Sequence, residues 1–305
     1  MQSVSYDNET SFGNLEILAQ QVVEGFITGL HKSPFHGFSV EFAEHRQYNN
    51  GDNVKGIDWK LFAKTDKLYS KRFEEETNLR AQFVIDVSSS MYFPEPRNNK
   101  LTFSIQAAAS LMYLLKRQRD AFGLSLFTDE ILLSSPAKST TIHQKYLFTQ
   151  LEELLQKPKV HAKTNLSEAL HQVSELIHKR SLVIIFSDLF NTGISQENTD
   201  EFFDALQHLK FNKHEVVVFN VTDKSKEVDF DYENRPYQFV DMETGEAIKV
   251  HTNQVKDSYS VAISQYRQQI SLKCAQYKID LIDADINEGF YPILQAYLIK
   301  RQKLG

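Results

Sequence analysis

Ala81-Gln82-Phe83-Val84-Ile85-Asp86-Val87-Ser88-Ser89-Ser90-Met91 is the stretch that decides the fold. Phe83, Val84 and Ile85 form the short β-branched and aromatic run of a buried strand. It ends abruptly in Asp86, three hydroxyl residues follow at Ser88, Ser89 and Ser90, and a helical pattern begins near Lys100. In open α/β sheets, ligands bind in the crevice outside the carboxyl ends of the strands. Alternate residues of a turning segment can aim at one point, so Asp86, Ser88 and Ser90 can converge. A hard cation such as Mg²⁺ takes oxygen ligands in a near-ideal octahedron and keeps some of its water. The same residues also read as a strand end followed by serines that cap turns and the next helix.

Outward from that stretch, strands and helices alternate. A helix over about 100–118 leads to a strand at 122–127 and a short one at 131–134. Helices at 142–156 and 165–178 precede Leu182-Val183-Ile184-Ile185-Phe186, the most apolar strand, which ends in Ser187-Asp188. A helix at 197–209, a strand at 215–221, a helix near 254–277, a strand at 279–282 and a helix at 291–300 complete the pattern. Such alternation implies right-handed βαβ units and a mainly parallel central sheet with helices on both faces. Val228–Val250 interrupts it with a hairpin signal, the segments Tyr237–Val240 and Ala247–Val250 flanking Glu243-Thr244-Gly245-Glu246. The expected division is 1–80, a helix and a β-rich region, and 81–305, the α/β domain with a hairpin insert at about 228–250 that joins the small β-rich appendage. In the first part, Leu15, Leu18, Ala19, Val22, Val23, Phe26 and Leu30 lie at helical spacing, and Arg46 with Asp52 or Asp58 offers loop-pinning ion pairs.

The 305 residues, with 41% hydrophobic and 24% charged residues, provide for a sizeable core. A net charge of −6, from 34 Lys+Arg against 40 Asp+Glu, argues against a general nucleic-acid binder. The single cysteine, Cys274, rules out an internal disulfide and reads as a small core residue. No apolar run is long enough to span a bilayer, and Met1-Gln2-Ser3-Val4-Ser5-Tyr6-Asp7 does not read as a signal peptide, so the expected location is the cytoplasm.

Two further strand-edge residues matter. Asp188 ends the most apolar strand, and Thr164 precedes a helix after the polar loop Lys159–Lys163. In one parallel sheet, Asp86, Ser88, Ser90, Thr164 and Asp188 gather at the carboxyl edge. Singly, Thr164 reads as a helix cap and Asp188 as a turn residue. Together with Thr164-Asn165-Leu166-Ser167-Glu168-Ala169-Leu170 and Phe186-Ser187-Asp188, the Asp86-x-Ser88-x-Ser90 pattern resembles the von Willebrand factor A fold and its metal-ion-dependent adhesion site. That resemblance implies Mg²⁺ (or Mn²⁺) ligated by Ser88, Ser90 and Thr164, with Asp86 and Asp188 acting mainly through water. Ala162-Lys163 stand before Thr164, where many A domains place glycine.

The upstream motifs Gly37–Phe42, Arg46-Gln47-Tyr48, Gly51–Trp59 and Glu74-Glu75-Glu76, with Asp241–Glu246 in the insert, resemble the bacterial domain-of-unknown-function family 58. That likeness implies a von Willebrand factor A-like domain associated with a MoxR-type AAA+ ATPase. The implied function is metal-dependent protein–protein interaction, an adaptor for the ATPase and its client proteins, with a partner's acidic residue completing the metal's shell. The alternatives are a metal-dependent phosphoester hydrolase or phosphotransfer enzyme, and a structural adaptor with a vestigial metal site. Against the enzyme, Ser88 stands where aspartyl phosphotransfer sites of the haloacid dehalogenase type carry a second Asp. No Gly-x-Ser-x-Gly elbow, P-loop or His-Glu-x-x-His is present, and His36, His45, His143, His161 and His171 are scattered.

Overall fold

A buried strand needs apolar neighbours on both faces, and the run 83–85 finds them at the centre of a sheet. The structure is a computed structural model that describes residues 14–31, 45–47, 59–65, 69–71, 79–94, 98–156, 165–190 and 196–304. By its contacts the chain divides into two units, one formed by residues up to Glu24 together with Leu79 onward, the other by Gly25–Asn78.

In the larger unit, β3 (Arg80–Asp86), β4 (Ala121–Phe127), β6 (Leu182–Ser187), β7 (Glu215–Thr222) and β10 (Asp280–Asp285) are parallel, and β5 (Ile131–Lys138) runs antiparallel beside β4. The order is β10-β7-β6-β3-β4-β5. The chain leaves β3 toward β4 on one side and resumes on its other side with β6. The sheet's direction of growth therefore reverses between β3 and β6, the kind of point at which open α/β sheets bind ligands outside the carboxyl ends of their strands.

Alternation divides the strand residues between two faces. Val84, Val183, Ile185, Val216 and Val218 pack in one cluster with Leu166, Leu170 and Val173 of α5 (Leu166–Leu176), Phe202, Phe203 and Leu206 of α6 (Gln196–Phe211), and Ile270 and Cys274 of α7 (Thr252–Gln276). On the opposite face Phe186 stacks on Phe219 with ring centroids 4.9 Å apart. That side is covered by α3 (Lys100–Arg117), which touches β3, β4 and β7, and by α8 (Tyr291–Leu304), which packs on α3 and β10. Cys274 is buried as expected, and burial pushes its thiol up to about 12. The fold is therefore α/β with a mainly parallel sheet between helix layers.

The first part of α1 (Asn14–His31) goes with this unit: Leu15, Ala19 and Val23 are buried, and the Leu15 amide donates to Glu152 Oε1 of α4 (Thr141–Gln156) at 3.2 Å. In the smaller unit, β1 (His45–Gln47) and β2 (Tyr69–Lys71) form an antiparallel pair, and α2 spans Trp59–Thr65. The insert's hairpin, β8 (Pro236–Val240) with β9 (Ala247–His251), is a separate two-stranded sheet in the larger unit. Among the described residues, the β-rich parts are two separate two-stranded sheets. Phe230, Tyr232, Phe239 and Tyr259 stack around β8 and attach it to α7. The proposed Arg46 pairs with Asp52 and Asp58 lie outside the described residues. No helix among those described is long and apolar enough to cross a membrane.

Candidate functional site at the carboxyl edge of the sheet

Strand β3 delivers Asp86 to the carboxyl edge with no exposure to solvent. A buried carboxylate needs donors. The Ser88 amide donates to Oδ1 at 2.9 Å, and the Ser187 hydroxyl at the end of β6 donates to Oδ2 at 2.8 Å. Burial, and then the negative charge of Asp188, still push Asp86 up to about 7, against the lowering effect of these hydrogen bonds. After the extended residue Ser88, the chain enters a tight helical turn over Ser89–Tyr92, which brings Ser88 Oγ and Ser90 Oγ to 3.2 Å.

Asp188 is set by the loop that leaves β6. The Phe190 amide donates to Asp188 Oδ1 at 3.2 Å. Leu189 has φ 58, a left-handed conformation that a branched side chain resists. It is held there from three sides: its amide donates to Ser187 Oγ, its side chain is buried in the core, and the Tyr266 hydroxyl of α7 donates to its carbonyl. Thr164, with Ala162 and Lys163, lies outside the described residues. Its successor Asn165 caps α5 by accepting the Glu168 amide, and donates its own amide to Thr128 O at the end of β4. The structure thus brings Asp86, Ser88, Ser90 and Asp188 together at the reversal point.

Three residues to which the sequence reading gives no role at the site join the candidate site. Lys100, at the first position of α3, is 1% exposed, and its ammonium donates to Asp188 Oδ2 at 2.7 Å and to Glu227 Oε1 at 2.6 Å. Burial opposes its charge, but Asp188 and Glu227 more than offset that and hold it above the ordinary lysine value. Glu227, in a helical turn over Lys224–Val228, also accepts the Asp223 amide at 2.8 Å, and its carbonyl accepts the Tyr259 hydroxyl at 2.6 Å. Ser187 is the third. Its signals in the sequence are its place between Phe186 and Asp188 and its period-two relation to Ile185, whereas Lys100 and Glu227 carry none beyond that of ordinary surface charges.

The donor chemistry fits a hard divalent cation. Two cis ligands of an octahedron with metal–oxygen bonds of about 2.1 Å stand about 3.0 Å apart, close to the 3.2 Å between the two serine oxygens. Two acidic groups stand behind them. No group of three or more His, Cys, Asp or Glu side chains among the described residues is arranged to hold a metal. Of the histidines, His143 is buried with Nε2 3.1 Å from Phe122 O, and His171 meets His208 at 3.1 Å.

Comparison with known proteins adds the following. The family model described as a protein of unknown function, DUF58, matches residues 44–269. The "Uncharacterized protein Rv1480" of Mycobacterium tuberculosis is 24% identical over 174 residues, 57% of this chain and 55% of that protein. The chain thus spans about half the length of the curated relatives it matches. Among solved structures, the conserved hypothetical protein BatB of Bacteroides thetaiotaomicron aligns with TM-score 0.42 and 14% identity, covering 68% of this chain and 90% of that one. A von Willebrand factor type A protein of Catenulispora acidiphila aligns with TM-score 0.32 and 10% identity, over 48% of this chain and 34% of that one. At these scores the structures add nothing to what the strand order already establishes.

Proposed function

The chain belongs to the DUF58 family, and from the geometry at its sheet edge we propose that it is a metal-dependent protein-interaction module that binds rather than catalyses. The observation that carries this reading is the pair of serine hydroxyls 3.2 Å apart in front of a wholly buried aspartate, at the point where the sheet reverses. Ser88 and Ser90, with Thr164 by resemblance, would hold Mg²⁺ or Mn²⁺, and Asp86 and Asp188 would fix the surrounding hydroxyls and water. When bound, the ion supplies an open coordination position for a carboxylate. Neutral hydroxyl ligands leave the ion more of its positive charge than direct carboxylates would, which favours an acidic residue of a partner.

In this reading the protein's own residues orient and neutralise. Ser187 and the Ser88 amide aim Asp86, the Phe190 amide aims Asp188, and Lys100 pairs with Asp188. The sequence resemblance makes a MoxR-type AAA+ ATPase the first partner to try, with its client proteins next and the cytoplasm as the compartment. Capture of such a partner from purified components should require millimolar Mg²⁺, vanish in EDTA and be lost in Asp86→Ala. Equally tight binding in EDTA would remove the metal from the mechanism. Metal-dependent phosphoester turnover by the purified chain, lost in Asp86→Ala, would replace the binding reading with an enzymatic one.

A further inference from the structure

Lysine is an unusual residue for the place it occupies in α3. The first turn of a helix presents its positive dipole end and favours acidic side chains, yet the first turn of α3 has none and opens on Lys100. The ammonium is also buried, which is costly unless it is paired. Its two carboxylates belong to different elements, Asp188 after β6 and Glu227 after β7, and the rings of Phe93 and Phe190 lie 5.8 and 5.1 Å away. A residue placed against both its helix and its solvation marks a site whose geometry is set for something other than local stability.

We propose that Lys100 is a built-in competitor of the divalent cation: it holds Asp188, lowers the metal affinity of the edge, and is itself moderated by Glu227. This rests on the metal-site reading above. An ammonium and a divalent ion that draw on the same carboxylate disfavour each other, both by charge and by claiming the same oxygens. Glu227 shares the ammonium, so it limits how strongly Lys100 holds Asp188. It also ties the balance to the insert, because its carbonyl is held by Tyr259 and Tyr259 packs on Phe230 with centroids 4.7 Å apart.

The competition has a sign that a purely structural ion pair lacks. In calorimetric titration of the full chain with MgCl₂ and MnCl₂, Lys100→Met should bind about tenfold more tightly, and Glu227→Gln, which leaves the ammonium to Asp188 alone, several-fold more weakly. Removing Lys100 leaves the buried Asp188 and the partly exposed Glu227 uncompensated, so Lys100→Met/Glu227→Gln serves as the second variant. It should fold and bind more tightly than the wild type. Unchanged or weaker binding in folded Lys100→Met or in the double variant, or tighter binding in Glu227→Gln, overturns the proposal. If the wild type binds and the lysine variants bind no tighter, the metal site stands and the competition fails. If the wild type binds nothing at millimolar metal but Lys100→Met does, the competition stands and the metal-dependent function fails.

Discussion

Asp86 and His214 show how single buried groups control the behaviour of this chain. Ser88 meets Asp86 through both its amide and its hydroxyl, so Ser88→Ala keeps the amide bond and removes the hydroxyl that serves Asp86 and faces Ser90. The expected result is Mg²⁺ affinity lowered about tenfold or more, with folding stability lowered by about 1–3 kcal/mol, read by calorimetry and urea unfolding. His214 is wholly buried; its Nδ1 accepts the Ser181 amide at 3.2 Å, and its Nε2 has no partner among the described residues. Burial lowers its pKa below 6.5. The native state therefore keeps it neutral while the unfolded chain protonates, so its contribution to stability is intact above pH 6.5 and is lost as the pH falls toward the depressed native value. In the metal-free protein Asp86 acts with the opposite sign. Raised to about 7 from 3.8, it contributes stability that is complete below 3.8 and lost as the pH rises through 7. The useful observable is thus a difference. Between pH 7 and 5, His214→Asn should gain stability relative to the wild type, by at most about 1.4 kcal/mol per pH unit. A constant difference across that range would show that His214 does not protonate on unfolding.

Strand β4 makes the case at the scale of elements. It is pinched between β3 and the edge strand β5, and Gly123 sits where the pairing with β5 shifts register. A Cβ there would lie 2.4 Å from Ser135 O, 2.9 Å from Ala137 N and 2.4 Å from Gln82 Oε1. The first two are backbone atoms and cannot step aside. Gln82 is itself fixed by bonds to Ser125 Oγ and Ser135 O. Gly123→Ala should therefore destabilise the protein by about 1–3 kcal/mol, seen as a lower urea midpoint, without touching the carboxyl edge. Most elements were legible because runs such as Leu182–Phe186 and Phe83–Ile85 are buried on both faces and carry the β-branched signature of central strands. Edge strands were read too short. β5 continues through Pro136 to Lys138, and a proline that breaks a central strand is tolerated at an edge. β10 continues through Asp283 to Asp285, since a strand with one open side need not be apolar. The same physics limits the site. Asp86 and Asp188 stand out because they end apolar runs, whereas the value of Lys100 comes from partners 88 and 127 residues away and leaves no local pattern.

At the scale of the whole molecule, the candidate site joins elements that are far apart in the chain. Asp86 belongs to β3, Ser187 to β6 and Lys100 to α3, while Glu227 follows β7. All of them lie in the larger unit, so a ligand that engages this edge favours the assembled sheet over every partly unfolded form. Linkage sets the size of the effect: at a free metal concentration about 100 times the dissociation constant, binding stabilises the native state by about 2.7 kcal/mol. For a unit of this size each kcal/mol moves the melting temperature by roughly 2–4 °C. Saturating Mg²⁺ should therefore raise the main unfolding transition by several degrees, reversibly with EDTA. Asp86→Ala and Ser88→Ala should abolish or sharply reduce the shift, whereas Gly123→Ala should melt lower yet keep it in full. Calorimetry is the suitable readout, because it separates a shift of the whole unit from fraying at one edge. If the metal shift is as large in Asp86→Ala as in the wild type, the cation binds elsewhere, and the carboxyl edge of β3 and β6 is not the site.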